Sequence, residues 1–322
     1  MVMNPETTVV GNFPYFLGLL TTLLIGIVGH FLLKKKSLVF KKWFIFGLFA
    51  FNTMLHFLKI FNSYYQERLP EYYATITFDN ICAVSAILFT FTYLTKSKLL
   101  KDYMFYMGII SGIAALLYPS GGVINRAPYA FDYFRFYICH GIILFGPVYM
   151  VAFGLHKLDY KRIVFVPFIF WIVLTIIFIN TIIIAEIGIT DIRSTDFLNT
   201  GYERNASLVF GPTKDFEKAS QMLLAFVPKF LKTVPLGPYT GQYKCVPLLW
   251  IFIPSYIYLF FFAFILSIPC EYRKIKTDFI ELKNRIKSKF KVKENKEIPD
   301  NQVVNKQILP DETESETVNL NK

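Results

Sequence analysis

The chain of 322 residues is 54% hydrophobic and 18% aromatic, with only 18% charged residues and a mean hydropathy of +0.43. Soluble globular chains run at roughly 45–50% apolar and about 25% charged, and the apolar residues here gather in blocks long enough to cross a hydrocarbon core of roughly 30 Å. These figures exclude a soluble enzyme, a nucleic-acid-binding module and a disordered scaffold. The net charge of +11 does not restore a nucleic-acid partner, because the lysines cluster in short connections and one tail.

In chain order, the first residues lack a basic n-region and a small-residue cleavage site, so the first apolar block reads as a retained span. With it there are seven blocks, bounded by charges and turn residues: Phe13 to Leu33, Trp43 to Phe61, Thr75 to Leu94, Tyr103 to Tyr118, Tyr133 to His156, Ile163 to Ile187 and Val246 to Ile268. None alternates with period two, so the expectation is an all-α bundle of seven transmembrane helices. The first, third and fifth connections carry Lys34, Lys35, Lys36, Lys41 and Lys42, then Lys96, Lys98 and Lys101, then Lys157, Lys161 and Arg162. The second and fourth carry only Arg68, beside Glu67 and Glu71, and Arg126. The positive-inside rule then puts the N-terminus outside and the C-terminus in the cytoplasm. This is the pattern of a multi-pass protein of the cell membrane.

Between the sixth and seventh blocks lies an outer loop, 188–245, long enough to act as a lid or binding element. It is expected to hold a helix from Thr213 to Thr233 that Pro228 kinks or ends. Asn205-Ala206-Ser207 matches a glycosylation acceptor there. The segment 269–296 is basic, and its Ile275, Phe279, Leu282, Ile286 and Phe290 recur every three or four residues. That spacing predicts a helix lying on the anionic lipids of the inner leaflet. Beyond it, 297–322 turns polar and acidic and reads as a disordered tail.

Ionisable side chains within a span cost roughly 2.5–3.5 kcal/mol at mid-helix, so each is a functional candidate. Asp79 and Cys82 lie three apart in the third block, which places them on one face of a helix. His140 lies in the fifth block. At about 1.5 Å per residue, Cys82 and His140 both sit roughly 10–12 Å below the outer surface. A thiol and an imidazole at one depth are the minimum for nucleophilic acyl chemistry, with Asp79 as a carboxylate that orients or balances the imidazole. Each residue also has a plain structural reading: Cys82 as a small hydrophobe, His140 as a hydrogen-bonded packing residue, and His56, Lys59 and Glu186 as snorkelling helix ends. Gly108, Ser111 and Gly112 read as a close-packing stripe. The four cysteines form no CxxC pair, and the four histidines show no ligand spacing, so neither a disulfide framework nor a metal or cofactor site is expected.

The run Tyr106-Met107-Gly108-Ile109-Ile110-Ser111-Gly112-Ile113-Ala114-Ala115-Leu116-Leu117-Tyr118-Pro119 resembles the fourth-span signature of the YwaF-type integral membrane protein family, which includes the animal transmembrane protein 164. The aromatic run from Phe131 through Phe134-Arg135-Phe136-Tyr137-Ile138-Cys139 to His140-Gly141 resembles that family's run ending in His-Gly, and Cys82 stands where its third-span Cys stands. The family's Leu-Pro-Leu before that Cys is replaced here by Thr77-Phe78-Asp79. The resemblance implies a seven-span bundle and, for the animal member, acyl transfer onto phospholipids with Cys and His as the active pair. By position these are Cys82 as nucleophile and His140 as base. The resulting expectation is a thiol-dependent phospholipid acyltransferase or lipid acyl hydrolase acting in the outer leaflet on membrane acyl lipids, with no cofactor. The competing expectation is a small-molecule transporter or channel, since buried polar residues also line solute paths.

Overall fold

The computed structural model describes residues 7–62, 66–67, 70–119, 122–190, 207–212, 217–234 and 240–296. Among them the fold is helical throughout, with one isolated bridge between Thr233 and Tyr243. The α-helices are α1 (Phe13–Lys34), α2 (Leu38–Leu58), α3 (Ile81–Leu94), α4 (Lys98–Leu117), α5 (Phe131–Ala152), α6 (Val166–Glu186), α7 (Glu217–Leu224) and α8 (Phe252–Lys296). The chain divides into two units, Met1–Glu271 and Tyr272–Lys322. The division falls where α8 leaves helical geometry at Glu271 (φ −130°, ψ 18°), two residues after Pro269. Within the second unit, Phe279, Leu282 and Ile286 are exposed along the helix. Residues 297–322 lie outside the described residues.

Short polar caps set the helix starts. Asn12, Ser37, Asn80 and Ser97 each accept a hydrogen bond from the backbone N–H three residues on, satisfying one of the donors a helix N-terminus leaves free. Six helical segments are long and apolar enough to cross a membrane: Phe13–Lys34, Leu38–Phe61, Lys98–Leu117, Phe131–Ala152, Tyr160–Glu186 and Phe252–Lys289. The third block departs from expectation. Its helix begins only at Ile81 and has 14 residues, about 21 Å at helical rise. Asn80 caps it in extended geometry (φ −153°, ψ 172°), and Glu71–Ile76 forms a separate 3-10 helix. Asp79 therefore precedes the helix and does not share a helical face with Cys82. The outer-loop helix also differs, ending at Leu224, with Pro228 capping a further 3-10 turn, Lys229–Lys232. The positions Asn205 and Ala206 lie outside the described residues.

Helix α5 is the hub, packed on α1, α2 and α4. Glycines make the approach possible. A Cβ on Gly108 of α4 would stand 2.5 Å from the Ile143 carbonyl oxygen, and one on Gly112 would stand 2.9 Å from Leu144 Cβ. The close-packing stripe expected of the fourth block is thus present. Tyrosines of α5 reach back to α1: Tyr133 donates to the Pro14 carbonyl at 2.6 Å, Tyr137 to Tyr15 at 3.2 Å, and Tyr149 to Gly26.

Candidate active site

The C-terminal end of α2 carries two buried polar side chains that the hydropathy pattern presents as snorkelling residues. His56 is 4% exposed and Lys59 7%. Their partners explain the burial. The 3-10 helix Glu71–Ile76 ends with carbonyls that no helix continues to satisfy. His56 Nε2–H donates to the Ile76 carbonyl at 3.1 Å, and the Lys59 ammonium donates to Thr75. Both side chains therefore turn inward to a backbone that needs donors, a constraint invisible in the hydropathy pattern.

Helix α5 answers from the other side. Asp132, in its first turn, is buried and holds Arg126 at 2.8 Å and Arg135 at 3.2 Å. Arg135 hydrogen-bonds the Cys139 thiol one turn on. Lys59 lies within the electrostatic reach of Arg135, Asp79, Cys139 and Asp132. Asp79 thus joins the site through Lys59, from the strand of chain ahead of α3. Cys82, second residue of α3, is half-buried and lies within electrostatic reach of Cys139 and Tyr103. Two thiols, two cations and two carboxylates gather between α2, α3 and α5. The connection between α6 and α8 reaches the start of α3, where the Ile81 N–H donates to Ser207 Oγ at 3.2 Å.

His140 is half-buried on α5. Its Nδ1–H donates to the Phe136 carbonyl at 2.8 Å, and the ring lies 4.2 Å from that of Phe136. A carbonyl only accepts, so the proton is on Nδ1 and Nε2 carries the basic lone pair. Successive helical residues are about 100° apart, yet Arg135 lies within the electrostatic reach of both Cys139 and His140. Sequence reading selects His140 and leaves Cys139 aside; the geometry ties Cys139 to Cys82 and Arg135. Its adjacency to Arg135 at i+4 is the signal that was available in the sequence.

Against α1, α2 and α5 lies a cavity of about 520 Å³ walled by Leu17, Ile25, Phe51, Phe134, Ile138 and Phe145 among others. The tyrosine hydroxyls of α5 beside it are spent on α1 carbonyls, leaving hydrocarbon walls. At the far end of the bundle is a second polar group that sequence reading misses. Asp102 is fully buried and takes Arg162 in bidentate fashion, at 2.5 Å to Oδ2 and 3.1 Å to Oδ1. It also accepts from His156 Nε2 at 2.6 Å. These residues are 54 and 60 positions apart in the chain, and in the sequence they read only as charges flanking spans.

Helices of this length and apolarity, joined by short basic turns, define a multi-pass membrane protein. The TMEM164 family model matches residues 7–216, well over half of the chain, and the protein belongs to that family. No curated protein and no solved structure matches it.

Proposed function

We propose that the protein is a thiol-dependent lipid acyltransferase or acyl hydrolase of the cell membrane, working in the outer half of the bilayer. The observation that carries this reading is the cluster in which Lys59 and Arg135 act on the Cys139 thiol, Cys139 in turn reaches Cys82, and a base-competent imidazole, His140, follows Cys139 on the same helix. In this reading Cys82 is the nucleophile, and His140, with Nδ1 held by Phe136, takes the thiol proton on Nε2. Asp79 balances Lys59. The developing negative charge is met by fixed positive groups in a site of low dielectric, where such contacts count most. The hydrocarbon-walled cavity supports the substrate class, because an acyl chain can lie in it without stranding a polar group.

Counting α3 with the six long helices gives seven crossings, with the N-terminus outside and the C-terminus in the cytoplasm. The basic helix of the second unit then lies on anionic inner-leaflet lipids through the exposed Phe279, Leu282 and Ile286. The test is intact-protein mass spectrometry of protein purified from lipid, with peptide mapping. The expected result is an acyl-sized mass on Cys82, released by hydroxylamine and absent from Cys82→Ser. His140→Ala should slow acyl transfer by about 10²–10⁴-fold, the contribution typical of a general base. A Cys82→Ala protein with undiminished lipid turnover refutes the reading.

A further inference from the structure

Two buried polar side chains one turn deeper than Cys82 have no partner among the described residues. Asn52, in α2, is 0% exposed, and neither its Nδ2 nor its Oδ1 is hydrogen-bonded. Ser85, in α3, is 2% exposed with an unpaired Oγ. The serine is unusual within this bundle. Thr22, Thr53, Ser111, Thr175 and Thr181 all return their hydroxyl to the carbonyl four residues back, the ordinary solution in a membrane helix. Ser85 does not. An unpaired buried amide or hydroxyl costs about 1–3 kcal/mol, whereas an apolar side chain of the same shape there would cost nothing of the kind. Other buried groups, among them the Tyr103 and Tyr106 hydroxyls, are also unpaired, but Asn52 and Ser85 lie on the two helices that frame Cys82, and each unpaired group of this kind asks for a binding partner.

Their placement says what. Ser85 follows Cys82 by three residues and lies on the same face of α3. The register of α2 on α3 is fixed next door, where Thr53 Oγ1 donates to the Ala86 carbonyl at 2.6 Å and lies 2.8 Å from Thr90 Oγ1. Asn52 and Ser85 each sit one residue before these contacts. Asn52 also continues the buried stripe of α2 from Phe49, which packs on Gly146 of α5, to His56 and Lys59 of the thiol site. The helices that carry Lys59 and Cys82 thus also carry, deeper in the bundle, an unpaired amide and an unpaired hydroxyl, both able to donate.

We propose that Asn52 and Ser85 form the receptor for the reacting acyl carbonyl, with Asn52 Nδ2–H and Ser85 Oγ–H donating to its oxygen as Cys82 adds. This rests on the reading of Cys82 as nucleophile. As the sulfur–carbon bond forms, the thiol proton passes to His140 and the carbonyl π electrons move onto oxygen, where the two donors hold the charge. When the oxyanion collapses, the ester carbon–oxygen bond breaks and the departing lysolipid oxygen recovers the proton from His140. The acyl group stays on Cys82 as a thioester. Donors fixed in place before reaction are what such a step needs, and losing one costs about 10²–10³ in rate.

The test uses the full-length protein in phosphatidylcholine vesicles containing a fraction of phosphatidylcholine with a fluorescent acyl chain. The rate of hydroxylamine-sensitive label appearing on Cys82 is followed together with the thermal unfolding midpoint. Asn52→Leu and Ser85→Ala are each expected to slow labelling about 10²–10³-fold at saturating lipid, with little change in half-saturation. Both should keep or raise the unfolding midpoint, because each removes an unpaired buried group. Asn52→Asp, isosteric but lacking the N–H, should be as slow as Asn52→Leu. A merely structural role would show the reverse, a lower midpoint with labelling intact, and overturns the proposal. So does equal labelling of wild type and both variants. Absence of label from wild-type Cys82 refutes the nucleophile reading and this proposal with it, whereas a labelled wild type with unslowed variants overturns this proposal alone.

Discussion

Asp102 shows how much a single buried carboxylate organises. It is fully buried, and its two oxygens serve one guanidinium and one imidazole from the turn between α5 and α6. Removing one member of a buried ion pair leaves the others uncompensated and costs about 3–5 kcal/mol. Arg162 keeps some access to water, with 23% of its side chain exposed, so Asp102→Ala is expected at the lower end of that range. Asp159→Ala, which removes a 3.6 Å contact between groups both partly exposed, should change stability by only about 0–1 kcal/mol. Thermal unfolding of the two variants in detergent compares them directly, and equal midpoints would contradict the assigned importance of burial. None of this was legible in the sequence. Asp102 and Arg162 there are two charges at span ends, and the inward turn of His56 and Lys59 depends on carbonyls of a 3-10 helix that no periodicity marks. Cys82 and His140, by contrast, stand out as rare polar residues in apolar blocks.

At the level of whole elements, the helices themselves were readable because hydropathy and caps agree. Six of the expected blocks overlap long apolar helices, although the last of these, Phe252–Lys289, runs 21 residues past Ile268. The third block starts later than expected because Ile76 and Phe78 extend its apolar character back towards Thr75, while Asn80 caps the helix instead of continuing it. The glycine stripe of α4 was legible too, but which helix it meets was not. It meets α5, and the contact is backbone against backbone. Gly108→Leu would drive its side chain into the Ile143 carbonyl, an atom that cannot move away without bending α5. Overpacking of this kind costs about 1–3 kcal/mol or more. Gly47 has open space around a Cβ, and Gly47→Ala should stabilise α2 by about 0.5–1 kcal/mol through helix propensity alone. Opposite shifts in unfolding midpoint are the expected outcome, and a tolerated Gly108→Leu would mean that α4 and α5 do not pack as described.

For the molecule as a whole, orientation follows from where the basic residues collect, and the native cysteines offer a way to test it. Cys82 lies half-buried between helices and Cys139 is buried, so neither should meet an aqueous reagent quickly. Cys245, in the outer loop, is 6% exposed, and burial pushes its thiol above the ordinary range, while Lys232 pulls weakly the other way. A raised thiol pKa means less thiolate near neutral pH and slower alkylation, with the rate climbing as pH rises through 8 and beyond. Cys270 is exposed 18 residues into α8, about 27 Å along the helix from the end next to that loop. Met222, 61% exposed on α7, provides a matching outer position for a Met222→Cys reporter. With the N-terminus outside, a membrane-impermeant maleimide applied to intact cells should label Met222→Cys at once. Cys270 should react only after permeabilisation, and Cys245 slowly under both conditions. Labelling of Cys270 in intact cells, with Met222→Cys protected, would invert the bundle. The thiol site would then move to the cytoplasmic leaflet, and the basic helix of the second unit would lose the anionic surface that its lysines suit.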